Sequence, residues 1–143
     1  DTPATEFPGF EGVINLWNAK RNNGKLPAWS NFDFFDFRGW HGKINKNTIS
    51  YDPFEYHIDL FGTDFVELVG EEWTGMSGSE ITEAHEDSDL DMKFYEMTCT
   101  NAYISRVSGP LPWEGRGFKN TLVIELPLSD DGKTVTHTIK ITL

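Results

Sequence analysis

Between residues 54 and 60 apolar and polar positions alternate strictly, Phe54, Tyr56, Ile58 and Leu60 against Glu55, His57 and Asp59. A period of two predicts a strand with one apolar and one wet face. The stretch 43–50 precedes it with β-branched Ile44, Thr48 and Ile49, and Tyr51-Asp52-Pro53 supplies a turn between two strands. A second pair is predicted at 121–128 and 134–143, joined through Ser129-Asp130-Asp131-Gly132 as a hairpin. In the last strand Val135, His137, Ile139, Ile141 and Leu143 alternate with threonines and Lys140.

Helical spacing appears elsewhere. Phe10, Val13, Ile14 and Trp17 form one stripe within 10–22, with a stop at Gly24. Residues 63–70 predict a short helix capped by Thr63 or Asp64, with Asp64 and Glu67 spaced as a capping box and Gly70 closing it. The longest helix is predicted over 86–104, with Leu90, Phe94, Met97, Asn101 and Ile104 on one stripe. Residues 26–33 mix Pro and aromatics and predict a packed irregular connector, 34–41 one or two helical turns, and 109–112 a break in regular structure. The fold class is therefore α+β. Residues 1–24 form an N-terminal extension with an amphipathic helix, and 25–143 the domain proper.

Composition narrows the function classes. At 143 residues the chain is one domain of ordinary size, and 38% hydrophobic residues with 11 Phe and 5 Trp give it a core. The formal net charge of -11 repels phosphate backbones and anionic lipid, so nucleic acid and membrane are not expected partners. Cys99 has no second cysteine to bridge to and reads as a small packed hydrophobe. With neither an export signal at the start nor a run of about 18 apolar residues, a cytoplasmic location is expected.

Two strands, short helices, a long helix and a closing hairpin together resemble a PAS domain. More narrowly, the chain is similar to a group of small PAS-like proteins common in alphaproteobacteria. The resemblance rests on Leu16-Trp17-Asn18-Ala19-Lys20-Arg21, Leu26-Pro27, Phe32-Asp33, Tyr56-His57-Ile58-Asp59-Leu60-Phe61-Gly62-Thr63, Gly70, Thr74-Gly75 and Leu126-Pro127-Leu128-Ser129-Asp130-Asp131-Gly132. It spans nearly the whole chain and implies an antiparallel sheet with short helices and one long helix on one face. It also implies a role in sensing or regulation. The segment 109–119 departs from it, predicting a loop where the family has a regular strand.

In a PAS-like fold a small ligand lies between the inner sheet face and the long helix. The candidate ligand-binding residues are Tyr56, Met97, Asn101, Trp113 and Arg116. Phe94 and Met97 are expected as plain core ahead of any ligand contact, since burying each stabilises by roughly 1.5 to 3 kcal/mol without a ligand. Asn101 on an otherwise apolar stripe needs a hydrogen-bond partner from backbone, water or ligand. Trp113 and Arg116, in the Gly/Pro-rich stretch, suit closure over an anionic or planar ligand, or a loop packed on the surface. His57 is expected in solvent, and His137 as a satisfied core residue.

Other chemistries find less support. His85 stands at the first turn of the predicted long helix, but a lone histidine does not make a haem site, and no cofactor is assigned. His85-Glu86-Asp87-Ser88-Asp89 lacks the second His of a zinc-protease motif. Asp87, Asp89 and Asp91 alternate as in a calcium loop, yet Met92 and Thr98 replace its Gly and final Glu. Gly75-Met76-Ser77-Gly78-Ser79 misses the nucleophile elbow. The expectation is a non-catalytic module that binds a small molecule or a signalling protein, with homodimerisation through the front helix stripe. The alternatives are a small enzyme transferring a proton between His137 or His57 and a carboxylate, and an interaction domain without a pocket.

Overall fold

The computed structural model describes residues 3–84, 88–110 and 120–143, with side chains for all of these except 84, 88–91, 109–110 and 120–121. Its core element is a five-stranded antiparallel sheet of β1 (Ile44–Ser50), β2 (Glu55–Phe61), β3 (Ser105–Pro110), β4 (Asn120–Leu128) and β5 (His137–Thr142), ordered β2-β1-β5-β4-β3. Helix α1 (Glu11–Lys20) precedes the sheet. Helices α2 (Thr63–Val69), α3 (Gly78–Ala84) and α4 (Ser88–Thr100) fall between β2 and β3. The fold is α+β.

The two sheet faces differ in chemistry. On one, Ile44, Ile124, Leu126, Leu128, Ile139 and Ile141 pack with Phe10, Val13, Ile14 and Trp17 of the N-terminal segment into the largest apolar cluster. The indole N–H of Trp17 donates to the Pro127 carbonyl at 2.9 Å, tying α1 to β4. This stripe is fully buried within its own chain. The homodimer expected through it would therefore have to use another surface.

The other face meets the later helices in two smaller clusters, one of Ile58, Phe61, Phe65, Trp73 and Ile81, one of Ile49, Tyr95, Cys99 and Val135. Strand β2 does not keep a single alternation. Lys46 opposes Leu60 while Asn47 opposes Ile58, so Asp59 is the extra residue of a bulge. The bulge exposes Leu60 and turns Phe61 inward, against the strict period-two pattern.

Other expectations are corrected by local chemistry. α2 closes at Gly70 as predicted, in the left-handed conformation (φ 84°) with its N–H on Val66 O at 2.7 Å. Its N-cap is Gly62, which has no side chain to cap with, while Asp64 in the first turn accepts from Lys43 Nζ at 2.9 Å. The long helix expected over 86–104 is α4, which ends at Thr100, short of the expected bound, with β3 beginning at Ser105; residues 86–87 lie outside the described residues. β3 runs through Gly109 and Pro110, paired to Thr121 and Asn120, where a break was expected. An edge strand tolerates Pro because its outward N–H has no ladder partner to lose. The predicted loop continues over 111–119, outside the described residues.

Candidate functional site

The helix-facing side of the sheet carries polar side chains where a core would normally be apolar. Cross-strand register sets Asn45, Lys140, Glu125 and Ser105 in one row across β1, β5, β4 and β3. Asn47 and Thr138 form the next row. All but Lys140 are buried. Residues directly opposite in an antiparallel pair share a face, so these six side chains point together at the helices.

Tyr95 of α4 covers them. Its hydroxyl accepts from Asn47 Nδ2 at 2.7 Å and shares a hydrogen bond with Thr138 Oγ1 at 2.8 Å. Asn45 Oδ1 accepts from Gly62 N at 3.0 Å, fixing the start of α2. Lys140 Nζ stands over the ring of Tyr95 at 4.7 Å and that of Tyr56 at 5.8 Å. Those rings stack on each other, 4.6 Å between centroids and 13° between planes. Beyond Tyr95 the Phe54 ring, 5.9 Å away, borders an open groove of about 410 Å³ lined by Tyr51, Phe54, Met92, Lys93 and Glu96 among others.

Two buried acceptors in this constellation have no donor among the described residues: Asn47 Oδ1 and Glu125 Oε2. Burial, then the charge and hydrogen bonding of the Glu125 carboxylate, push the Tyr95 hydroxyl well above the usual phenol range. Burial, then the Glu125 charge, likewise raise the Cys99 thiol. Both groups stay protonated at neutral pH, so neither is an activated nucleophile. The site is built for holding polar groups.

Of the predicted ligand-binding residues the structure brings in Tyr56, half-buried and stacked on Tyr95. Met97 is 42% exposed and Asn101 is exposed, its Nδ2 donating to Met97 O at 2.8 Å. Met97 lies on the outer side of α4, as does Phe94, 43% exposed, and Asn101 follows the last residue of the helix. The inward stripe is instead Tyr95, Thr98 and Cys99, one residue out of register with the predicted one. Hydrogen bonding decides this rotation, since Tyr95 meets Asn47 and Thr138 while the Thr98 hydroxyl is satisfied within the helix by Tyr95 O at 3.0 Å. Trp113, Arg116 and His85 lie outside the described residues, as do Asp87 and the side chains of Asp89, Leu90 and Asp91. Sequence reasoning missed Asn47, Tyr95, Glu125, Thr138 and Lys140. The available signal was polar residues on the three strands, β1, β5 and β4, that the topology places inside the sheet.

A second polar cluster lies on the opposite face. Asp59, placed outward by the bulge, accepts from Lys46 Nζ at 2.7 Å and from the Thr48 hydroxyl. His137 Nδ1 approaches Thr136 Oγ1 at 3.1 Å and Asp130 Oδ1 at 3.8 Å. Burial, then the Lys46 charge, lower the His137 pKa, while Asp130 and Asp59 oppose the shift. His57 is exposed as expected, bridged through its backbone to Ser77. Among the described residues no group of three or more His, Cys, Asp or Glu is arranged to hold a metal, and no helix is long and apolar enough to cross a membrane. No protein-family model matches the chain, and none of the curated proteins matches it.

Proposed function

We propose that this chain is a PAS-type sensing or regulatory domain of the cytoplasm that binds a small molecule between its sheet and α4 and signals through a protein partner, without catalysing a reaction. The order of elements supports it: two strands, short helices, α4 over the sheet, and three closing antiparallel strands. One observation carries it. The face beneath α4 buries Asn45, Asn47, Glu125, Ser105 and Thr138, leaving acceptors on Asn47 and Glu125 unmatched. Burying such a group without its hydrogen bond costs about 1 to 3 kcal/mol, so a face of this kind is costly for the fold and useful to a ligand. Lys140 keeps partial exposure although it lies on the central strand.

Native mass spectrometry of the freshly purified protein, set beside its denatured mass, tests the proposal. The expected result is a reproducible added mass that disappears on denaturation. A bare chain in both measurements would point instead to an interaction domain without a ligand.

A second function, proton transfer between a histidine and a carboxylate, draws on the 3.8 Å approach of His137 Nδ1 to Asp130 Oδ1. It requires His137 to titrate against Asp130. The Asp130→Asn variant would then lower the histidine's pKa in an NMR titration, and an unchanged titration would remove the pair from consideration.

A further inference from the structure

Three groups on the helix-facing side of the sheet lack what their chemistry calls for. Glu125 Oε2 and Asn47 Oδ1 are acceptors without donors among the described residues, in side chains 7% and 2% exposed. Lys140 is the converse, a cation held over the rings of Tyr95 and Tyr56. Glu125 and Lys140 face each other across β4 and β5, yet no ion pair closes between them among the described residues. Opposed strand positions place their Cβ atoms only about 4.5 to 5.5 Å apart. Opposite charges this near with no ion pair between them mark two ends of one recognition site.

We infer that the ligand is a small zwitterion of the α-amino acid class, its ammonium donating to Glu125 Oε2 and Asn47 Oδ1 and its carboxylate taken by Lys140. This deepens the proposed binding function and rests on it. Charge matching separates the candidates. A simple carboxylate or phosphate satisfies Lys140 but sets an anion beside the Glu125 carboxylate. A simple amine satisfies Glu125 and leaves Lys140 without an acceptor. Of these three, the ligand with both groups on neighbouring atoms supplies donors and acceptor together, and it adds no net charge to a site whose Glu125 and Lys140 already cancel. Lys140 and Tyr56 are partly exposed on this side of the sheet. A carboxylate offers the ammonium of Lys140 charge-assisted hydrogen bonds that ring faces do not.

The test is calorimetry and thermal shift on the full chain with the common L-α-amino acids, each singly. The amino acid that binds is then compared with its deaminated acid and its decarboxylated amine. The expected result is saturable binding of at least one amino acid, with both truncated analogues and the Glu125→Gln and Lys140→Met variants weakened about tenfold or more. Phe94→Gln, on the outer side of α4, should bind as the parent does. The analogue series uses the unaltered protein, so it decides the question even where a variant fails to fold. A bound mass in the native protein together with no amino-acid binding would overturn the zwitterion and leave the ligand-binding domain standing. No bound mass and no binding of any probe would remove both. Amino-acid binding indifferent to both variants and to loss of either ligand group would overturn the site.

Discussion

Tyr95 is held to the sheet through its hydroxyl as much as through its ring. Replacing it with Phe keeps the stack on Tyr56 but removes the shared partner of Asn47 Nδ2 and Thr138 Oγ1, both in residues 2% exposed. Tyr95→Phe is expected to destabilise by about 1 to 3 kcal/mol in urea denaturation, most of it the cost of the buried amide left without its best acceptor. Two glycines test close approach in a graded way. A Cβ on Gly62 would lie 2.7 Å from the Gly42 carbonyl carbon and 2.8 Å from Ile44 O, all backbone. One on Gly78 would meet Tyr56 Cε1 at 2.5 Å and Met92 Sδ at 2.7 Å, side-chain atoms that rotate away. Each Ala substitution should cost about 1 to 3 kcal/mol or more, with Gly62→Ala the worse because rotamer changes do not relieve a backbone clash.

At the level of elements, α4 turns Phe94 and Met97 to solvent and Tyr95, Thr98 and Cys99 to the sheet. Phe94→Gln and Met97→Gln should therefore stay within about 0.5 kcal/mol of the parent by chemical denaturation. Cys99→Ser, one helical turn along the inner side from Tyr95, should cost about 1 to 3 kcal/mol by burying a hydroxyl among Ile49, Tyr95 and Val135. Equal losses at Phe94 and Cys99 would contradict this orientation. α1 behaves differently, with its apolar stripe inside the largest cluster. Trp17→Ala removes both that packing and the hydrogen bond to Pro127 O, and should cost about 3 to 5 kcal/mol. The N-terminal extension thus belongs energetically to the sheet it covers.

Across the whole molecule, acid acts through groups distant from the proposed site. Asp131 accepts from the backbone N–H groups of Lys133 and Thr134, each at 2.8 Å, and from the Ser129 hydroxyl, which hold its carboxyl at about 2. Its folded pKa lies below the ordinary 3.8, so its contribution is full above that value and is lost as pH falls toward 2. His137 is also lowered, chiefly by burial, so the unfolded chain takes up the proton first and stability falls as pH drops below about 6.5. Denaturation curves between pH 2 and 8 should show two losses on acidification. His137→Asn should remove the upper one and Asp131→Asn diminish the lower. A His137→Asn variant with the parent's slope between pH 5 and 7 would contradict the burial of that ring.

What the sequence determined by itself was local. The strand expected at 121–128, the helical stripe at 10–22 and the stop at Gly70 depend on neighbours within a few residues, and the chain folds there as its pattern says. Tertiary structure decided which side of each element was buried. Periodicity states which residues share a face, but α4 rotated by one residue because Tyr95 found Asn47 and Thr138, 48 and 43 positions away along the chain. The bulge at Asp59 depended on the pairing of β1 with β2, which the alternation of β2 alone does not contain. The candidate site was hidden for the same reason. Asn47, Glu125, Thr138 and Lys140 read as a wet strand face until β5 is placed at the centre of the sheet with α4 across it, because whether a polar side chain faces water or an interior depends on what other elements cover it.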